Sequence, residues 1–173
     1  MPGAGKTTLI CRLAEQLQAA AVPVAGFVVH EVREQDQRAG FAIEAFGGPR
    51  ALIAHTSWTN RPRVGRYGVD VAAFERVALP AVRRAVQGDG VAVIDELGQM
   101  ELLSEEFVQE VHQLFDQGRP LVAAVHLRAH PVTDAFKRRP DVELLEVRPD
   151  NRDALLAGLT ARFRGDGPSD CSP

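Results

Sequence analysis

The chain has 173 residues, 45% of them hydrophobic and 25% charged, a length and balance that suit one globular domain with its own core. A formal net charge of -3 gives no general attraction to nucleic acid or to an anionic membrane. Two cysteines exclude a disulfide framework, no signal peptide opens the sequence, and no apolar run approaches the ~20 residues of a membrane span, so a cytoplasmic protein is expected.

The first element is Met1-Pro2-Gly3-Ala4-Gly5-Lys6-Thr7-Thr8, most of the phosphate loop G-x-x-x-x-G-K-[ST]. The first glycine of that pattern would stand one position ahead of Met1, so a strand and a glycine are expected upstream of this sequence. Gly3 and Gly5 let successive backbone N–H groups turn inward around an anion. Lys6 can reach the β and γ phosphates, and the Thr7 hydroxyl can ligate Mg²⁺. Leu9, Ile10, Leu13 and Leu17 then share one face of a helix, whose positive end would lie under the phosphates.

Residues 22–30 and 39–46 are β-rich runs around a polar stretch and predict a hairpin, with 50–55 as a third strand. Residues 56–69 lack periodicity and predict a long loop, in which Trp58 and Tyr67 are candidates to stack on a base and Arg63 and Arg66 to touch phosphate. Arg128, Arg138 and Arg139 are weaker candidates for that contact. Asp70 predicts the cap of a helix with Phe74, Val77 and Val82 inward, and Pro80 is a candidate kink.

Gly90-Val91-Ala92-Val93-Ile94-Asp95-Glu96-Leu97-Gly98 reads as a buried parallel strand that ends in two acids. In phosphate-loop enzymes an acid at such a strand end holds Mg²⁺ opposite the loop hydroxyl, which assigns Asp95 to the metal with Thr7. Glu96 is then placed to orient an attacking water and, with Lys6, forms the catalytic set. Ser104 caps a helix through Phe115, 121–125 and 142–147 are further strands around a short helix at 132–138, and a last helix runs from Asp150 to Phe163. Residues 1–163 are thus one domain and 164–173 a disordered tail. His126 and His130 are spaced four apart, but Pro131 argues against one helix carrying both as metal ligands. The alternation of strands and helices predicts an α/β sandwich, a mostly parallel sheet flanked by helices with an antiparallel hairpin added.

Several stretches together resemble the THEP family of nucleoside-triphosphatases: Pro2–Thr8, Gly26-Phe27 with Glu31-Val32-Arg33, Arg38–Phe41, Arg63–Asp70, Ile94–Leu102 and Asn151-Arg152-Asp153. The resemblance spans 2 to about 163. It implies a RecA-like P-loop NTPase that hydrolyses ATP, GTP, CTP and UTP to the diphosphate and phosphate with Mg²⁺. It also implies nucleotide-binding stretches at Met1, Pro2, Gly3, Ala4, Gly5, Lys6, Thr7 and Thr8, and at Ala92, Val93, Ile94, Asp95, Glu96, Leu97, Gly98 and Gln99. Gln99 stands where the family commonly has a lysine. A nucleotide or small-molecule kinase using the same loop, and a nucleotide-binding module with negligible turnover, remain alternatives, and the oligomeric state is open.

Overall fold

The structure, a computed structural model, describes residues 5–88, 90–125 and 128–165. Met1, Pro2, Gly3, Ala4, His126 and Cys171 therefore lie outside the described residues. Helix α1 (Lys6–Ala19) buries Leu9, Ile10, Leu13 and Leu17, the stripe read from the sequence. Strands β1 (Val24–Glu34) and β2 (Gln37–Ala45) form the expected hairpin. Its two-residue turn, Gln35-Asp36, has φ of +46° and +62°, the pair of positive values that lets a tight turn follow the twist of its strands. Strand β3 (Arg50–His55) pairs antiparallel with β2.

The long loop expected at 56–69 is corrected by the structure. It contains β4 (Arg63–Val64) and β5 (Tyr67–Val69), a small hairpin that docks on β3. The Tyr67 ring packs edge-on to Phe41, 5.1 Å between centroids, which fixes the hairpin on the sheet. Strands of two and three residues are too short to show alternation in sequence.

Helix α2 (Val71–Gln87) starts where Asp70 accepts a hydrogen bond from the Ala73 N–H at 2.9 Å, and it runs through Pro80. Strand β6 (Val91–Leu97) leads through a 3₁₀ turn at Glu101–Leu103 to α3 (Glu105–Asp116), capped by Ser104 accepting from the Phe107 N–H at 3.1 Å. Then come β7 (Leu121–Val125), α4 (Pro131–Lys137) and α5 (Arg152–Arg164), with Gly165 closing α5 one residue past the expected boundary. The strand expected at 142–147 is absent. Its residues are irregular chain with no ladder partner among the described residues, and Leu144 and Leu145 are exposed.

The described strands form one sheet in the order β4-β5-β3-β2-β1-β6-β7. Only β1–β6 and β6–β7 are parallel, so the sheet is mixed where a mostly parallel one was expected. The antiparallel addition is larger than one hairpin because β3, β4 and β5 extend it. Alternation along β1 and β6 sends Phe27, Ala92 and Ile94 to the α2–α3 side and Val28, Val91 and Val93 to the α1–α5 side. Both faces of these strands are covered, hence their nearly continuous apolar sequence.

Phe27, Phe74 and Phe107 are each fully buried and meet with centroids 5.1 to 5.7 Å apart, tying β1 to both helices of one layer. Phe27→Ala is expected to cost about 3 to 5 kcal/mol, read as a drop in the urea midpoint at unchanged slope. A loss under about 1 kcal/mol would mean that the surrounding rings close the space.

Candidate functional site

Gly5 has φ +82°, a left-handed conformation that glycine adopts without strain, and it turns the chain into α1. The first intrahelical bond runs from the Leu9 N–H to the Gly5 carbonyl at 2.9 Å. The amides of Lys6, Thr7 and Thr8 are therefore free of intrahelical acceptors at the positive end of the helix. Thr7 and Thr8 are exposed there and Lys6 is half-buried.

Across 88 positions of sequence, the Thr7 hydroxyl donates to Asp95 Oδ2 at 3.1 Å. The Val29 N–H donates to the same oxygen at 3.1 Å. This second bond follows from the register of β1 on β6, whose last aligned pair is Phe27 with Ile94 and which carries Val29 just past that pairing to Asp95. Asp95 is 3% exposed. Burial pushes its carboxyl above the ordinary value and neighbouring Glu96 adds to that, whereas the Val29 and Thr7 bonds and nearby His30 hold it back. A carboxylate and a hydroxyl are hard oxygen donors, the chemistry that Mg²⁺ takes when phosphates and water complete its shell. Among the described residues no group of three or more His, Cys, Asp or Glu side chains could hold a metal by protein ligands alone.

Glu96 follows on β6 and is half-buried, while Leu97 packs into the core and Gly98 is buried. Glu101 folds back from the 3₁₀ turn so that its Oε2 accepts the Gly98 N–H at 3.1 Å. A Cβ built on Gly98 would lie 2.8 Å from Glu101 Oε2 and 3.1 Å from Glu96 Cγ, so the two acids flank this glycine. Glu101 is fully enclosed, and burial pushes its pKa up to about 8, with Glu96 adding to the shift and the Gly98 N–H opposing it. At neutral pH it therefore holds a proton beside Glu96.

The structure brings Gly5, Lys6, Thr7, Thr8, Asp95, Glu96 and Gly98 to one end of the sheet. Ala92, Val93 and Ile94 are buried in the two cores and carry the strand that presents Asp95. Gln99 is exposed beyond Gly98. Arg63 and Arg66 are set apart from this cluster across the sheet: β3, β2 and β1 stand between their hairpin and β6. Their guanidinium groups donate to main-chain carbonyls, Arg63 to Arg66 O and Arg66 to Arg38 O, each at 2.6 Å. Trp58 lies beside Arg61, and Tyr67 beside Arg66, so both rings are engaged within the same region. Arg139 pairs with Asp141 and Asp116 on the α3–α4 side, away from Thr7.

A cavity of about 250 Å³ runs alongside α1, lined among others by Cys11, Glu15, His30 and Glu44. His30 Nε2 is 3.3 Å from Glu44 in that wall. Three contributors escaped the sequence reading: the Val29 N–H, the Glu101 carboxyl and Arg152, whose side chain rests on Gly5. The signal for Glu101 was a lone acid inside Met100-Glu101-Leu102-Leu103, and for Arg152 its place in the Asn-Arg-Asp stretch.

A family model described as NTPase matches residues 1–160. The nucleoside-triphosphatase THEP1 of Thermotoga sp. strain RQ2 is 37% identical over 155 residues, covering 90% of this chain and 87% of its own. The cancer-related nucleoside-triphosphatase of Homo sapiens is 38% identical over 171 residues, covering 91% of this chain and 90% of its own. The crystal structure of THEP1 from the hyperthermophile Aquifex aeolicus has a TM-score of 0.83 at 35% identity, covering 94% of this chain and 95% of that one.

Proposed function

The chain belongs to the NTPase family that these THEP1 proteins represent, and on that premise we propose that it is a Mg²⁺-dependent nucleoside-triphosphatase acting on ATP, GTP, CTP and UTP. The observation that carries this reading is the Thr7–Asp95 bond at 3.1 Å, with Glu96 the next residue. It joins the helix end that suits phosphate to the strand end that suits a metal and a water.

The amides of Lys6, Thr7 and Thr8 and the Lys6 ammonium bind the phosphate chain and face the charge that grows on it. Thr7 and Asp95 are the residues that would hold Mg²⁺, and Asp95 meets its two donors through Oδ2 alone. Bound there, the metal supplies charge neutralisation at the β and γ phosphates. Glu96 accepts a hydrogen bond from the attacking water and draws off its proton. The buried, protonated Glu101 adds no second negative charge next to Glu96. None of these groups reads a base, in keeping with four nucleotide substrates.

The test is phosphate release from each of the four triphosphates, with Mg²⁺ or with EDTA, and with or without added nucleoside monophosphates. Release with Mg²⁺ alone, lost in EDTA, is the expected result. Triphosphate consumed only when a monophosphate is added, with the γ-phosphate recovered on that monophosphate as a diphosphate and no free phosphate, would make the protein a kinase. Nucleotide binding with no triphosphate consumed in any arm would make it a binding module.

A further inference from the structure

Helices α1 and α5 run side by side in the same direction. Arg12 pairs with Asp153 at 3.0 Å, the Thr160 hydroxyl donates to Gln16 Oε1 at 2.7 Å, and Leu156 is buried between α5 and the apolar face of α1. Both helices therefore begin at the same end of the molecule, the end that carries Gly5 and Lys6. The chain entering α5 is drawn tight by Asn151, whose Oδ1 accepts the Arg148 N–H and whose Nδ2 donates to the Glu146 carbonyl, each at 2.8 Å. Arg152 follows directly and its side chain is laid over Gly5. A Cβ built on that glycine would lie 3.0 Å from an Arg152 Nη1 and 3.2 Å from its Cδ.

This placement is unfavourable for the protein by itself. Arg152 Nε is buried and has no hydrogen-bond acceptor among the described residues. Among the described residues the carboxylate oxygen that it approaches, on Asp153, is 4.0 Å away and already engaged by Arg12. The cation also rests on Gly5 at the positive end of α1, where the helix end repels it. An anion seated on Gly5 and the free amides of α1 would reverse each of these terms at once. It would accept from the guanidinium and complement the helix end.

We propose that Arg152 is a second phosphate-binding cation of this site and contacts the phosphate chain of the bound nucleoside triphosphate across Gly5. The proposal rests on the nucleotide site described above. Arg152 then closes over the phosphates from α5, opposite the Thr7–Asp95 side, and the packing of α5 on α1 becomes part of substrate binding. Because the contact is to phosphate, it is shared by all four nucleotides.

The experiment is equilibrium binding of inorganic tripolyphosphate, ATP and adenosine, each with Mg²⁺, to the full chain and to Arg152→Met and Arg152→Ala. Arg152→Met keeps an apolar stem on Gly5 and removes only the N–H donors and charge, so it reports even where Arg152→Ala fails to fold. Loss of about 10- to 100-fold in affinity for tripolyphosphate and for ATP, with adenosine unchanged and the melting temperature maintained, is the expected result. Unaltered tripolyphosphate affinity in a folded Arg152→Met variant would overturn the assignment. So would a loss that falls equally on adenosine, which would place the contact at the base. If the unsubstituted protein binds neither tripolyphosphate nor ATP, the nucleotide site itself falls and the role of Arg152 with it.

Discussion

Glu96→Gln is expected to bind nucleotide within about threefold of the unsubstituted protein and to lose 100- to 10,000-fold in turnover, the range for removal of a general base. The amide has the size and much of the hydrogen-bonding shape of the carboxylate, so the loop through Gly98 can stay as it is. What is lost is the capacity to take a proton from water as the oxygen approaches the γ-phosphate. Asp95 is engaged by Thr7 and Val29, and Glu101 holds a proton of its own at neutral pH, so neither neighbour is placed to take over. Single-turnover phosphate release measures the effect directly. A loss below about tenfold would remove Glu96 from the role of base and leave positioning and charge stabilisation as the main sources of rate.

The second large effect concerns stability against pH. Glu101 in the folded chain keeps its proton to about pH 8, whereas in the unfolded chain it loses it near 4.5. Between those values the native state binds more protons than the unfolded state, so stability falls as pH rises, by up to about 1.4 kcal/mol per pH unit. The raised pKa of Asp95 acts in the same direction. From pH 5.5 to 7.5 the loss approaches about 3 kcal/mol, a large share of the 5 to 15 kcal/mol typical of a folded domain. Glu101→Gln keeps an oxygen for the Gly98 N–H but cannot ionise, and it is expected to flatten this slope in urea titrations at the two pH values. An equally steep slope in the variant would show that Glu101 does not keep its proton.

The helices and strand β6 were legible because their signals are local. Ser104 and Asp70 each cap the helix that the apolar spacing predicts, and Val91–Ile94 are apolar because both sides of β6 are covered. Where a segment's fate depends on a neighbour, the letters did not decide it. Residues 142–147 have strand composition, yet no adjacent strand among the described residues completes a ladder. Residues 63–69 have loop composition, yet β3 gives them an edge to pair with.

The site divides along the same line. Thr7 and Asp95 were readable as residue types with known chemistry in phosphate loops. The Val29 N–H was not, since any residue has that donor and only the register of β1 on β6 aims this one at Asp95. Glu101 looks polar in sequence and is buried in space, and Arg152 gains its meaning only once α5 lies on α1. Arg63 and Arg66 were drawn to the phosphates by charge alone, and the strand order puts three strands in between.

The central claim is attack of water on the γ-phosphate at the Thr7–Asp95–Glu96 cluster. Turnover of ATP with Mg²⁺ in ¹⁸O-labelled water, with mass analysis of both products, tests it most directly. The account predicts one labelled oxygen in each released phosphate, none in the diphosphate, and suppression of the labelled product in Glu96→Gln. Label in the diphosphate, or no labelled phosphate without an added acceptor, would contradict it.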